Sequence, residues 1–270
     1  MQLEHWQLSQ SPFRTVLDAD RYYPSASHDE ALARLEYLVD ARRRLGVLLG
    51  ESGVGKSLVL RVAAQRLARK GAAVVVVDTV GSGIRDLLWQ LAAGLGAAPR
   101  DTSDMVHLWR LVADRVAENR LQQTNTVLLV DDAGQAGPDV LAQLVRLARL
   151  DATPAARWTI LLAAEPPQAA RWNESLRELV DLRIDLEPWN EDDTIGYVQT
   201  SLVEAGRFDP VFDDDALAAI YELTGGVPRR VIRLADFALL AGAAAAIDTI
   251  DAATVHGACS EMNWPVAAAY

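Results

Sequence analysis

The stretch "LLGESGVGKSLVL", residues 48–60, constrains the fold of this chain more than any other part of the sequence. It matches the pattern G-x-x-x-x-G-K-[ST], in which Lys56 and Ser57 fill the last two fixed positions. An apolar run precedes the motif and a helical pattern follows it. This strand, loop and helix order predicts a loop whose backbone amides, with the N-terminal end of the next helix, bind phosphate groups.

The loop residues have distinct expected roles. Its glycines allow tight turns that present backbone N–H groups to oxyanions. Lys56 would reach the β- and γ-phosphates of a nucleotide, and the hydroxyl of Ser57 would hold Mg²⁺. We expect the nucleotide to be bound by Gly50, Glu51, Ser52, Gly53, Val54, Gly55, Lys56, Ser57 and Leu58.

A second stretch, "TVLLVDDAGQA" at 126–136, ends an apolar strand on two adjacent aspartates. Carboxylates at such a position are costly unless a positive group lies near them. In P-loop proteins an acidic residue at the end of a neighbouring strand helps to hold Mg²⁺. We therefore expect Asp131 to bind the magnesium ion and Asp132 to orient or activate the attacking water.

Short apolar runs alternate with amphipathic helical patterns over the first 190 residues. The predicted strands are 46–50, 72–79, 126–131, 158–164 and 179–186, and clear helical patterns cover 84–95 and 104–119. Several of the runs are apolar throughout, which is typical of parallel strands covered on both faces. The pattern predicts an α/β fold, a P-loop core with a five-stranded parallel sheet.

The pattern changes after "LEPWNEDD", residues 186–193. From there only helices are predicted, at 192–205, 213–223, 227–241 and 251–261. Acidic residues at the junction are suited to cap the next helix. We therefore predict two domains: residues 1–190, an N-terminal segment plus the α/β core, and residues 191–270, a small all-helical lid.

Composition narrows the classes of function. The net charge of −11 argues against a free-standing nucleic-acid-binding protein, although it leaves nucleic acid open as a partner within an assembly. A single cysteine, Cys259, rules out an internal disulfide framework. The first ten residues do not have the pattern of a signal peptide, and the longest apolar runs are too short for a membrane span. These features predict a cytoplasmic protein.

A P-loop, a second acidic strand and a C-terminal helical lid together resemble an AAA+ ATPase. Three stretches are more specific: 12–39, "LEPWNEDDTIGYV" at 186–198 and "TGGVPRRVIRLADFALLAG" at 224–242. They are similar to the general secretion pathway protein A family, which is related to the ATP-binding proteins of certain transposons. The resemblance implies an ATPase that uses ATP and Mg²⁺ and forms a homo-oligomer in its ATP state.

The resemblance also implies roles for residues outside the loop. Arg229, in "GVPR", would reach from the lid to the γ-phosphate, a task suited to the fixed and always charged guanidinium group. Tyr22, Tyr23 and His28 fall where such proteins form the wall of the adenine pocket. Each of these three is equally compatible with a place in the core or at a helix cap.

This chain departs from the family pattern at three positions. Asp132 stands where the family has Glu, and Glu165 stands where it has a polar amide, although a carboxylate cannot donate to phosphate unless protonated. Leu179 replaces an arginine that acts in trans, which leaves Arg177 and Arg183 as candidates. Slow hydrolysis is expected, and two alternatives stay open: an ATP-loaded scaffold or switch, and a nucleic-acid-associated regulator. The sequence does not identify a protein partner.

Overall fold

A computed structural model describes residues 2–14 and 18–262. At its centre lies a five-stranded sheet in which every strand pairing is parallel, in the order β2-β3-β4-β1-β5. The strands are β1 Leu45–Leu49, β2 Ala73–Asp78, β3 Thr126–Asp131, β4 Trp158–Ala164 and β5 Leu182–Asp185. The predicted α/β fold with a five-stranded parallel sheet is confirmed.

Helices follow the strands along the chain. Those before residue 190 are α1 Gln2–His5, α2 Ala26–Asp40, α3 Lys56–Arg69, α4 Ile84–Gly94, α5 Met105–Leu121, α6 Pro138–Ala148, α7 Pro166–Ala169 and α8 Glu174–Arg177. Two short 3₁₀ helices span Ala19–Arg21 and Ala133–Gln135. Because these helices cover both faces of the sheet, its central strands are buried on both sides.

Strand β3 illustrates this burial. Leu128 and Val130 belong to a core cluster with α4, α5 and α6. Val127 and Leu129 point the other way, into a cluster with α2 and α3. Successive side chains of a strand point to opposite faces, so an uninterrupted apolar run is what a doubly covered strand needs.

The last predicted strand is shorter than expected. It was predicted over 179–186, whereas β5 spans Leu182–Asp185. The backbone N–H groups of Leu179 and Val180 donate to carbonyls of Leu176 and Arg177, so these residues continue the turn after α8. Their side chains pack against the core from that turn, which gives an apolar pattern that a strand would also produce.

The C-terminal part of the chain is helical, as predicted. It consists of α9 Glu191–Glu204, α10 Asp214–Thr224, α11 Pro228–Ala244 and α12 Ala252–Glu261. The side chains of Asn190, Asp213 and Asp251 accept backbone N–H groups in the first turns of α9, α10 and α12. These caps satisfy donors that have no partner inside a helix. Within the described ranges, none of the helices combines the length and hydropathy needed to cross a membrane.

The N-terminal segment packs with the lid rather than with the sheet. Trp6, Leu8 and Phe13 lie in the same buried cluster as residues of α9 to α12, and Trp6 Nε1 donates to Leu239 O at 2.9 Å. The predicted division grouped this segment with residues 14–190. Packing places three of its side chains, Trp6, Leu8 and Phe13, in the core of the lid, while the division of the chain into domains stays a prediction.

We predict that Trp6→Ala destabilises the lid. Trp6 is 2% exposed, and truncating a buried tryptophan costs about 3–5 kcal/mol through lost contacts and the cavity left behind. Denaturant unfolding measures this change, with Leu3→Ala as the matched control because Leu3 is 38% exposed. Equal stability of the two variants would show that the segment does not belong to the lid core.

Candidate nucleotide-binding site

The predicted phosphate loop connects β1 to α3. Gly53 and Gly55 have φ angles of 86° and 108°, in the left-handed region that glycine adopts without strain. A Cβ atom at Gly55 would lie 2.7 Å from His28 Nε2. The local sequence therefore needs glycine here both for the turn and for the close approach of His28.

Lys56 is the first residue of α3 and is only 8% exposed. Its Nζ donates to the carbonyl oxygens of Gly50 and Glu51, at 2.9 Å each. Burial lowers the pKa of Lys56, and the charges of Glu165, Asp132 and Asp131 oppose this effect. The predicted catalytic and metal-binding carboxylates are thus gathered around the lysine of the loop.

The order of the strands explains why these acids meet. Asp131 ends β3, Glu165 follows β4, and the loop follows β1, and these three strands are neighbours in the sheet. Parallel strands deliver their carboxyl ends to one edge, which is where ligands bind in open α/β sheets. Glu165 lies near Lys56, and its charge is the strongest of those that oppose the lowering of the Lys56 pKa.

Asp132 has an unusual backbone conformation. Its φ and ψ are 50° and 32°, a left-handed conformation that costs a non-glycine residue about 1–2 kcal/mol. The buried hydroxyl of Thr79 donates to the carbonyl oxygens of Asp131 and Asp132, at 3.1 and 2.9 Å. Thr79 therefore holds the backbone of Asp131 and Asp132 at the end of β3, and through that backbone it positions the side chain of Asp132. The sequence alone did not indicate this role.

A second residue missed by the sequence analysis is Asp78. It ends β2 and is the register partner of Asp131. Burial raises the pKa of Asp132, and the charges of Asp131 and Asp78 raise it further. The signal was available in "VVVVDT" at 74–79, because an acid and a hydroxyl at the end of an apolar strand join the same sheet edge.

Ser57, Asp78 and Asp131 line one cavity of about 610 Å³. A hydroxyl and carboxylates are oxygen ligands of the kind that Mg²⁺ takes. Across residues 2–14 and 18–262, no group of three or more His, Cys, Asp or Glu side chains is placed to hold a metal alone. The residues fit a magnesium ion that takes its remaining ligands from nucleotide phosphates and water, the usual arrangement at nucleotide sites.

A narrower cavity of about 350 Å³ lies beside the loop. Tyr22, Tyr23 and His28 all line it, together with Leu58. Trp189, just before the lid, also lines it, and the sequence analysis did not anticipate this contribution. An aromatic cavity adjoining a phosphate loop has the shape and chemistry for a purine base.

His28 also forms a hydrogen bond with the backbone of the phosphate loop. Its Nε2 lies 2.9 Å from Val54 O, and its Nδ1 lies 2.7 Å from Ser25 Oγ. Burial lowers the pKa of His28, which favours the neutral ring. A carbonyl oxygen only accepts hydrogen bonds, so Nε2–H donates to Val54 and Nδ1 accepts from the hydroxyl of Ser25.

The lid contacts the loop through Arg229. The backbone N–H of Arg229 donates to Gly53 O at 3.2 Å, and a Cβ atom at Gly53 would lie 3.0 Å from Arg229 Cβ. The positive charge of Arg229 is one of the influences that lower the pKa of Lys56. The predicted lid arginine is therefore next to the phosphate loop.

The two arginines predicted to act in trans are placed elsewhere. Arg177 ends α8 and is exposed. Arg183 lies on β5, where it forms a bidentate ion pair with Asp185 at 2.8–3.0 Å. Neither of them lines the two cavities described above, so within one chain they do not join the site.

Comparisons with known proteins agree with this geometry. A family model described as an AAA domain matches residues 39–172. Cdc6p from Pyrobaculum aerophilum superimposes with a TM-score of 0.70 at 20% identity, covering 90% of this chain and 71% of that one. ORC1 from Aeropyrum pernix, solved with DNA, gives 0.68 at 17% identity, covering 94% and 71%. Residues 39–172 thus match an AAA domain, and the whole described chain has the fold of AAA+ proteins around a P-loop.

A relative in sequence narrows the family. The chain is 30% identical over 270 residues to General secretion pathway protein A of Aeromonas hydrophila. The match covers 98% of this chain and 48% of the relative, so the chain spans about half the length of that protein. The resemblance predicted from the three stretches is confirmed.

We predict that Thr79→Val slows ATP turnover by about tenfold or more, since a displacement of about 1 Å at a catalytic group can cost 10²-fold. Thr79→Ser keeps the hydroxyl and should retain most of the activity. Steady-state phosphate release measures turnover, and the affinity for ATP should change little because Thr79 lies outside the loop. A Thr79→Val variant with unchanged turnover would remove Thr79 from the positioning of Asp132.

Proposed function

We propose that this chain binds ATP with Mg²⁺ and hydrolyses it to change the position of its helical lid. The observation that carries the proposal is the position of the phosphate loop, which lies between a group of acidic residues and the helical lid. On one side Lys56 of the loop lies within the electrostatic influence of Asp131, Asp132 and Glu165. On the other side the loop is bonded to Arg229 of the lid. A γ-phosphate in this place would touch both domains.

Each side chain has a role in this proposal. The ammonium group of Lys56 exchanges two carbonyl oxygens for phosphate oxygens, which carry full negative charge and bind it more strongly. Ser57 and Asp131 hold Mg²⁺, which supplies charge neutralisation at the phosphates. Asp132 orients the attacking water and accepts its proton. Such electrostatic positioning accounts for most of the catalysis in phosphoryl transfer.

Arg229 couples nucleotide to lid position. Its backbone is already bonded to the loop, and its guanidinium group can donate to a γ-phosphate but would lose that partner in ADP. We further propose a homo-oligomer in the ATP state, in which a neighbour's exposed Arg177 or Arg183 completes the site. The compartment that we propose is the cytoplasm, in line with the single cysteine.

A second candidate function is an ATP-loaded scaffold or switch with little turnover. The observation that favours it is Glu165, a carboxylate beside Lys56 that cannot donate to a γ-phosphate while ionised. Phosphate release measured below and above the concentration of oligomerisation separates the two functions. A rate at background in both conditions favours the scaffold. A nucleic-acid-associated regulator has less support because of the net charge of −11.

Two substitutions separate binding from hydrolysis. Lys56→Ala should abolish ATP binding, whereas Asp132→Asn should keep binding and lose at least about 10²-fold in turnover. Lys70→Ala is the matched control, since Lys70 is the other lysine of the chain and bonds Glu36 on the surface. Calorimetry and phosphate release measure the two quantities. Unchanged phosphate release in Asp132→Asn would contradict the role given to Asp132.

The raised pKa of Asp132 predicts a pH dependence. As a base Asp132 must be ionised, so kcat/KM should fall as the pH drops through a pKa above the usual aspartate range. Asp78→Asn removes one of the charges that raise this pKa while it keeps an oxygen for the N–H of Val80. The acidic limb of kcat/KM should then move to lower pH. A limb that stays in place would show that another group titrates.

A further inference from the structure

A groove between α5 and α6 lies away from the nucleotide site. It encloses about 790 Å³ and has an apolar floor that includes Val106, Trp109, Ala113 and Val145. Val106 is 61% exposed, a large fraction for a valine in the first turn of a helix. The groove lies on the sheet face that α4 to α6 cover, whereas α3 and its phosphate loop belong to the other face.

Arginines surround this floor. Arg110, Arg146 and Arg149 line the groove, and Arg100 lines an adjoining cavity that shares Val106 and Arg110 with it. All four side chains are exposed. In the described part of the chain, none of the four forms an ion pair. A protein with a net charge of −11 thus keeps four unpaired cations around one apolar groove.

The centre of the groove is already ordered. The guanidinium group of Arg146 lies over the ring of Trp109, 3.9 Å from its centroid. This contact fixes a long side chain that would otherwise lose rotamer freedom on binding. It also leaves the edge of the guanidinium free for a carboxylate. The indole N–H of Trp109 and Oε1 of Gln143, which also lines the groove, are buried without hydrogen-bond partners among the described residues.

We propose that this groove binds an acidic amphipathic helix of a partner protein. A groove between two helices accepts a third helix through apolar anchors at i, i+3, i+4 and i+7. Glutamates or aspartates that flank such anchors would meet the arginine rim, and arginine binds carboxylates through two parallel hydrogen bonds. The apolar floor supplies affinity, and the rim selects for negative charge.

A nucleic acid fits the same surface less well. Proteins that bind single strands stack bases on open aromatic faces. Among the described residues, the only aromatic side chain lining the groove is Trp109, which is 8% exposed and has Arg146 over its ring.

The groove has a structural link to the site on the other face. Helix α6 begins at Pro138, and only Ala136 and Gly137 separate it from the 3₁₀ helix Ala133–Gln135 that follows Asp132. A helix bound along α6 would therefore contact an element whose start is joined to the end of β3. Binding in the groove needs no nucleotide, so the proposal stands or falls separately from ATP hydrolysis.

Fluorescence anisotropy tests the proposal, with labelled peptides of about 16 residues, long enough for four helical turns. One peptide carries leucines at i, i+3, i+4 spacing with glutamates elsewhere; a second has the same composition in scrambled order, and a third has lysine in place of glutamate. The full chain without nucleotide should bind only the first. This binding should weaken as salt is raised from about 50 to 300 mM, since exposed ion pairs are screened.

Variants assign the binding to the groove. Arg110→Glu with Arg149→Glu should lower the affinity for the acidic peptide by about tenfold or more. The two substitutions replace attraction between rim and peptide by repulsion between like charges. Ala142 is an exposed residue that lines the groove. Ala142→Trp should therefore fill the groove and lower the affinity for the acidic peptide. Arg43→Glu with Arg69→Glu is the control, since it makes the same change in net charge at exposed positions elsewhere.

Five results would overturn the proposal. The acidic peptide could fail to bind the wild-type chain, or bind no better than its scrambled form. The groove variants could bind it as well as the Arg43 and Arg69 control does. A single-stranded DNA could bind more tightly than the peptide and be lost in the groove variants, or the wild-type chain could sediment as a dimer that these variants dissociate. Either of the last outcomes would assign the surface to another partner.

Discussion

The buried ammonium group of Lys56 is the interaction on which the rest of this structure depends. A charged amine removed from water is costly unless it is paired. Here two backbone carbonyls accept hydrogen bonds from it, and the charges of three acids partly oppose the effect of burial, which still lowers its pKa. Those partners come from separate elements, β3, β4 and the loop itself. Because carboxylates alone repel one another, a cation among them lowers that repulsion, and the proposed polyphosphate with its metal would use the same edge of the sheet.

The parallel sheet makes that arrangement possible. Neighbouring parallel strands bring acids from distant parts of the sequence to one edge, and the buried Thr79 links the ends of β2 and β3. The lid adds a second contact, through the bond between Arg229 and Gly53. A change in the backbone of the loop would therefore alter a hydrogen bond to the lid. The core of the lid also contains the N-terminal Trp6.

Much of this architecture follows from local sequence patterns. The loop, the strands β3 and β4 and the helical C-terminal region could be predicted because glycine spacing and apolar periodicity are local signals. The packing of Trp6 on the lid could not, since a short apolar segment does not reveal which distant surface it covers. Asp78 and Thr79 were missed because their role depends on strand order. Leu179 and Val180 were assigned to a strand because a buried turn has the same apolar pattern.

The central claim is that a triphosphate and its metal bind between Lys56 and Asp131. A crystal structure with a non-hydrolysable ATP analogue and Mg²⁺ tests it most directly. The account predicts that the Nζ atom of Lys56 leaves the carbonyls of Gly50 and Glu51 for the phosphates, with Ser57 and Asp131 beside the ion. An analogue bound elsewhere, with Lys56 still bonded to those two carbonyls, would contradict the account.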